Sequence, residues 1–553
     1  MADVRQPQPP PPSPPHLSIG QRVESGHVRG TVRYVGEVPP TKGEWIGVEW
    51  DDKERGKHSG EHNGTQYFSC LFPGTGTFTR PSFKIHTGSS LLQILKERYV
   101  DKEKDVKDLF LGSSNVKVDV YDFERVREKN SKLHVMEIVG LANTNVASAD
   151  DYEETQMACP AIRDLDLSST LVCSWKDVAD ICAPLSKLDI LRLNRNRFLP
   201  LTEQPFYEYG FKTVRCLALN RVFMSWDEFE LLESSMPNLQ ILQIGFNNFT
   251  ELGKTDSSIP VASQKLKGFA NLEELHLEGN SFADWNQILR LSRLPKLKSL
   301  DLSENQLQSI IGPQDENDFK HLTSIRLADN LVDNWVSIDQ LGRYITLKNV
   351  WIGNNPIMSK TTPNQQSSEG TNVVDSRTST IARMPHVLQL NGSDIEKTNR
   401  IDAELYYLKH VALSTKGMDD VAIQAVHPRF EELCQVHGRP DTSDESRKAT
   451  SEILKDRLIA ITLVSKDRID GPAKTTFNRS ILGTMTVKSL KNLAQKLLRV
   501  PAMRQELVYV TSDPDYATVN VNVVLRDDLR QISYYDIKDG EEIIVLDKSK
   551  SGK

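Results

Sequence analysis

Residues 297–307 read Leu-Lys-Ser-Leu-Asp-Leu-Ser-Glu-Asn-Gln-Leu, with apolar residues at Leu297, Leu300, Leu302 and Leu307 and an asparagine at Asn305. The same spacing returns upstream at Leu188/Leu191/Leu193/Asn196/Phe198, Leu239/Leu242/Ile244/Asn247/Phe249 and Leu272/Leu275/Leu277/Asn280/Phe282. Downstream it recurs at Leu322/Ile325/Leu327/Asn330/Val332 and Leu347/Val350/Ile352/Asn355/Ile357. The second apolar position falls at 165, 191, 217, 242, 275, 300, 325 and 350, in steps of 26, 26, 25, 33, 25, 25 and 25. A fixed period of this length means one short unit stacked on copies of itself. Within each unit a brief strand turns its leucines inward. The asparagine turns inside the coil and satisfies backbone groups that the tight bend leaves unpaired. Thr170 and Val222 occupy the asparagine position in the units at Leu165 and Leu217, which predicts interruptions of the ladder there.

Period and template are those of leucine-rich repeats, so residues 161–410 are expected to form an α/β solenoid. The polar stretch 359–380 reads as a mobile insertion before a degenerate last unit, Leu388/Leu390/Ile395. The helical text Asp402–Leu408 then closes the open apolar end, as repeat arrays require. Exposed strand positions such as Arg192, Gln243, His276, Ser299, Arg326 and Asn349 are expected to line a protein-binding face.

Outward from the repeats, residues 1–19 are a proline-rich tail with seven prolines between Pro7 and Pro15, a composition that favours extended chain and buries no core. Between 20 and 88 the texture changes to short alternating runs, Arg29–Gly36, Trp45–Trp50 and Thr65–Phe68, punctuated by glycine. These predict a small all-β domain. Its loop Gly56-Lys57-His58-Ser59-Gly60, followed by Asn63-Gly64, is bracketed by glycines whose amides can approach a ligand closely. Residues 89–160 and 411–456 read as linker or helical segments. Over 457–548, strands at 459–464 and 477–482, a helix at 487–498 with Thr486 as its N-cap, and strands at 506–510 and 542–546 predict an α+β β-grasp.

The chain of 553 residues carries a net charge of -7, which excludes the basic footprint of a dedicated nucleic-acid binder. Six dispersed cysteines suggest neither a disulfide framework nor a zinc site, and free thiols fit the cytoplasm. His58 and His62 with Cys70 fall short of a ligand set. With no apolar run of spanning length, no membrane segment is expected. No P-loop, zinc-protease or nucleophile-elbow string occurs, so no catalytic residue and no cofactor is expected.

The segments Gly30–Arg33, Gly43–Glu49, Gly56–Gly60, Gly64–Cys70 and Gly76–Pro81 together resemble the CAP-Gly module, whose signature is a GKNDG-like loop. The resemblance implies binding of an acidic C-terminal tail that ends in an aromatic residue, as in the Glu-Glu-Tyr end of α-tubulin. Candidate peptide-binding residues are Trp45, Trp50, Gly56, Lys57, His58, Ser59, Gly60, Phe68 and Phe78. Lysine and glycine-flanked amides suit carboxylates, and the aromatics suit an apolar groove. His58 and Ser59 depart from the Asn-Asp usual in the family. Nine Lys/Arg against eight Asp/Glu make residues 20–88 near neutral within an acidic chain.

The last ninety or so residues resemble ubiquitin-like domains. They lack a terminal Gly-Gly, so docking rather than conjugation is expected. The order of the three modules resembles the tubulin-folding cofactor E family. That resemblance implies α-tubulin as partner, action with cofactors D, C and B and a small Arf-like GTPase, and a cytoplasmic and cytoskeletal setting. It implies a part in assembly and dissociation of the α/β-tubulin heterodimer. Two other readings stay open on the residues alone: a ubiquitin-pathway adaptor docking on the proteasome, and a microtubule-end-binding structural protein.

Overall fold

The computed structural model describes residues 17–82, 84–100, 110–111, 116–117, 132–201, 207–359, 376–440, 458–482, 485–512, 520–528, 530–535, 537 and 540–549. The proline-rich stretch and most of the expected insertion after Ile357 lie outside these residues. Two compact units emerge: residues 1–411 with 417–437, and residues 412–416 with 438–553.

The first unit opens with four antiparallel strands in spatial order, β1 (Arg22–Ser25), β2 (Val28–Val38), β3 (Thr41–Trp50) and β4 (Gly76–Thr79). Alternation decides which residues go inside, since successive side chains of a strand point to opposite faces. Ile46, Val48 and Trp50 share one face of β3 and pack with Leu17, Val23, Val32 and Ile85. Trp50 is 3% exposed, so it belongs to this core and does not line the groove expected for it. Its neighbour Arg22 is fully buried, with its guanidinium on Asp51 (2.8 Å) and on the Thr31 hydroxyl oxygen (3.1 Å).

Eleven strands then form one sheet, parallel through Leu390, with Leu165, Leu191, Leu217, Leu242, Leu275, Leu300, Ile325 and Val350 in register. All eight are buried. The asparagine ladder is visible at six positions, each asparagine donating to the carbonyl three residues before it. Asn280 Oδ1 accepts from the amides of Asn247 (2.9 Å) and Phe249 (3.1 Å), and its Nδ2 donates to Ile244 O and Leu277 O. Thr170 repairs its own gap in part: its hydroxyl donates to Leu167 O at 2.9 Å, the bond the missing amide makes elsewhere. Val222 has no such donor; its amide and that of Phe223 donate to Asn247 Oδ1 (2.8 and 2.7 Å), and Asn247 Nδ2 donates to Leu219 O (3.0 Å).

Two boundaries differ from expectation. The sheet begins at Ile138–Gly140, one coil before the first unit readable from leucine spacing, and Ser89–Ser90 pairs with Val146–Ser148. Helix Leu91–Leu95 buries Leu91, Leu92 and Leu95 against the first coils, so the ends of the 89–160 stretch cap the solenoid instead of linking it. At the far end, Val387 is buried where Leu388 was expected, and Leu388 is exposed. Closure continues beyond 410 through helices Asp420–Val426 and Phe430–His437, which bury Ile423, Phe430 and Leu433. Glu404 holds them through Arg429 (3.5 Å) and His437 Nε2 (2.8 Å).

The second unit is a five-stranded β-grasp with strands Thr475–Leu482, Leu458–Lys466, Glu542–Asp547, Gln505–Ser512 and Asn520–Val524 in spatial order. Helix Val487–Leu498 lays Val487, Leu490 and Ala494 on the core formed with Ile461, Leu463, Leu507 and Ile543. Thr486 caps it by accepting from the Ser489 amide. Strand Asn520–Val524 was not readable from the sequence.

Candidate peptide-binding site

The opposite face of β3 carries Trp45, Gly47 and Glu49. Gly47 is required by close approach: a Cβ there would lie 2.3 Å from Phe68 Cε1. The space it leaves admits an aromatic cluster centred on Phe78. Ring centroids of Tyr67, Phe68 and His58 lie 5.5, 5.4 and 5.1 Å from that of Phe78, and those of Tyr34 and His62 lie 6.2 Å away. Edge-to-face pairs dominate, the arrangement the ring quadrupoles favour. Tyr34 and Tyr67 were missed as site residues. The signal for Tyr34 was its pairing opposite a glycine, which only the strand register reveals.

The glycine loop works differently from expectation. A Cβ at Gly56 would meet Gly74 O at 2.0 Å, and one at Gly60 would meet Phe68 O at 1.9 Å, with φ +99° adding backbone strain. These glycines let two chain segments touch. Three loop amides are spent inside the fold: Lys57 and His58 donate to Gly76 O (2.8 and 3.2 Å), and Gly60 donates to His58 Nδ1 (3.0 Å). They are therefore not donors for a bound carboxylate. His58 takes the acceptor role that an asparagine oxygen would fill, and Ser59 Oγ accepts from the Gly74 amide at 2.9 Å. Burial, then the neighbouring His62, lowers the pKa of His58 and favours the neutral ring this bond needs. Lys57 is exposed and, among the described residues, has no ion-pair partner.

Trp45 flanks the cluster on the same strand face, half-buried beneath the Arg80 guanidinium (4.1 Å), with its indole N–H donating to Thr41 Oγ1 (2.9 Å). Gly56–Gly60, Phe68 and Phe78 are thus brought together, Trp45 lies beside them, and Trp50 lies on the other side of the sheet. The buried Glu49 carboxylate takes Arg33 (2.8 Å) and the Leu71 amide (2.5 Å), pinning the loop that precedes β4. That loop docks on the solenoid. Phe72 meets Phe223 edge-on at 5.1 Å, Arg29 donates to Asn143 O at 2.7 Å, and a Cβ on Gly20 would lie 2.2 Å from Leu199.

Among the described residues, half-buried His276 and Glu278 with buried Asp301 are the one set of three groups close enough to share a cation. His58, His62 and Cys70 do not converge. Asp301 already accepts from the Ser303 amide and faces Arg326 at 3.6 Å. Of the expected binding face, Arg192 is paired with Asp164, and Arg326 lies over Trp351.

The CAP-Gly domain family matches residues 19–83. Over 541 residues the chain is 31% identical to tubulin-specific chaperone E of Bos taurus, covering 95% of this chain and 98% of that protein. The chain belongs to the tubulin-specific chaperone E family. Tubulin-folding cofactor E of Arabidopsis thaliana is 28% identical, covering 96% of this chain and 98% of its own length. The solved C-terminal ubiquitin-like domain of mouse tubulin-specific chaperone E is 20% identical over 16% of this chain and 87% of that one, with a TM-score of 0.14. Family members are named as chaperones and folding cofactors.

Proposed function

We propose that this chain is a non-enzymatic tubulin cofactor of the cytoplasm and cytoskeleton. It captures the acidic C-terminal tail of α-tubulin at the Phe78 cluster and takes part in assembly and dissociation of the α/β-tubulin heterodimer. The observation that carries the reading is an exposed Lys57, without an ion-pair partner among the described residues, beside a half-buried aromatic cluster in a domain of the CAP-Gly family. The lysine suits a terminal or side-chain carboxylate, and the rings suit the terminal aromatic. With three loop amides already engaged, Lys57 carries more of the charge recognition than a shared amide cradle would leave to it. Tail capture alone gives modest affinity. A second contact with the tubulin body raises avidity through effective concentration. Dissociation of the dimer then draws on differential affinity for the separated subunit. Cofactors D, C and B, an Arf-like GTPase and the proteasome are the partners this reading places around the same complex.

Titration of the full chain with a Glu-Glu-Tyr peptide tests the groove. Lys57→Ala is expected to weaken binding about tenfold or more, the value of a charge-assisted hydrogen bond. Unchanged affinity refutes the assignment. Tailless α-tubulin should bind the wild-type chain as weakly as full-length α-tubulin binds Lys57→Ala.

A further inference from the structure

Where the N-terminal module meets the solenoid, a cleft of about 400 Å³ lies between Lys53 and Phe72 on one wall and the coils carrying Arg195, Arg197 and Arg221 on the other. Four cations face it, in a chain of net charge -7. Its one carboxylate, Asp51, is already taken by the buried Arg22. Among the described residues no acidic side chain pairs with any of the four. Three of the four are placed by rings: Lys53 lies 5.0 Å over Phe72, Arg197 4.7 Å over Phe223 and Arg221 4.5 Å over Phe246. Arg197 also donates to Asn196 O and Arg221 O, which holds its guanidinium still. Arg195 and Arg221 occupy the same step of successive coils, both with φ near +60° (59° and 61°), so the fold repeats a cation along the cleft. The equivalent step further along carries Glu304 and Asp329, so the positive charge is confined to the end beside the peptide groove.

We propose that this cleft is a second carboxylate-binding site, taking the side chains of an acidic peptide without need of its C-terminus. Arginine suits carboxylates through its planar fork, and a row of guanidiniums held on rings loses little entropy on binding. An acidic peptide fits better than a nucleic acid, because the cations are gathered locally in a chain of net charge -7 that lacks the overall basic surplus of a nucleic-acid binder. The loop 71–75 connects the two sites: its Gly74 amide is held by Ser59 of the glycine loop, and its Phe72 lines the cleft. The proposal rests on the tubulin-tail reading only in taking an acidic polypeptide as partner, and the test separates the two.

The probe is a labelled deca-glutamate with an amidated C-terminus, titrated by fluorescence anisotropy into the full chain at fixed salt. Wild type is expected to bind saturably, and Arg195→Asn/Arg221→Asn to bind at least tenfold more weakly. Asparagine is chosen because it tolerates positive φ. Lys53→Glu, an exposed change on the opposite wall, provides a second variant if the double substitution fails to fold. The proposal is overturned if wild type shows no saturable binding, or if neither variant weakens it. Binding abolished by Lys57→Ala, or a decamer of uridine bound more tightly and through the same arginines, overturns it equally. Failure of the Glu-Glu-Tyr titration with Lys57→Ala, by contrast, bears on the groove alone.

Discussion

Replacing Asn280 with alanine isolates the device on which the solenoid depends. Asn280 is 5% exposed, and its Oδ1 is the acceptor for two amides of the preceding coil, those of Asn247 and Phe249. Alanine leaves both N–H groups buried without a partner, and each such group costs about 1–3 kcal/mol. The two carbonyls that lose Nδ2, Ile244 O and Leu277 O, add a smaller amount. A total of about 2–6 kcal/mol follows, the upper end only if water does not enter. At roughly 2–4 °C per kcal/mol for a domain of about 150–250 residues, an upper bound for this longer unit, the fall in its melting temperature should be at most on the order of 4–24 °C. Because the chain has two units, one melting curve need not be two-state, and amide hydrogen exchange is the sharper assay. Protection should fall at Asn247 and Phe249 first, and at the ubiquitin-like unit not at all. Unchanged exchange at those two amides would falsify the ladder as a source of stability.

Protonation of His58 removes the acceptor for the Gly60 amide. Its folded pKa is lowered by burial, so the unfolded state binds the proton more readily, and stability of the loop is full above about 6.5 and declines as pH falls through that value. Peptide affinity should follow the same course. His58→Asn should flatten it, and an unchanged profile in that variant refutes the role. Gly60→Ala places a Cβ 1.9 Å from Phe68 O and should abolish peptide binding, with loss of Phe68 amide protection by NMR; retained binding would mean that the loop relaxes freely. Trp50→Ala should destabilise the module by about 3–5 kcal/mol through a core cavity, whereas Trp50→Phe should keep peptide affinity near wild type. Lost affinity in a folded Trp50→Phe would return that residue to the groove.

The repeats were legible because their signal is periodic: an aliphatic residue every 25 or 26 residues, with one step of 33, and an asparagine at a fixed offset in six of the eight units survive local ambiguity. The coil at Ile138–Gly140 was not, since it carries no asparagine at the matching step and Val139 stands where the leucine would be. The peptide site was legible as a set of residue types and not as faces. Trp45 and Trp50 look equivalent in a list of aromatics, yet they differ by five residues along one strand. An odd difference puts them on opposite sides of the sheet. Knowing that Ile46 and Val48 face the core was enough to assign Trp50 with them, and register alone supplies that knowledge. Likewise the glycines read correctly as close-approach positions, but what they approach is the domain's own chain at Gly74 and Phe68.

The seating of Phe72 on Phe223, with Gly20 against Leu199, ties two stretches of sequence into a single selective constraint. A genetic screen for loss of tail capture should therefore recover changes at Leu199 and Phe223, outside the Phe78 groove, alongside changes at Lys57. Conversely, an excised fragment ending near residue 88 presents Phe72 to solvent, and affinities measured on it describe a surface the intact chain does not display.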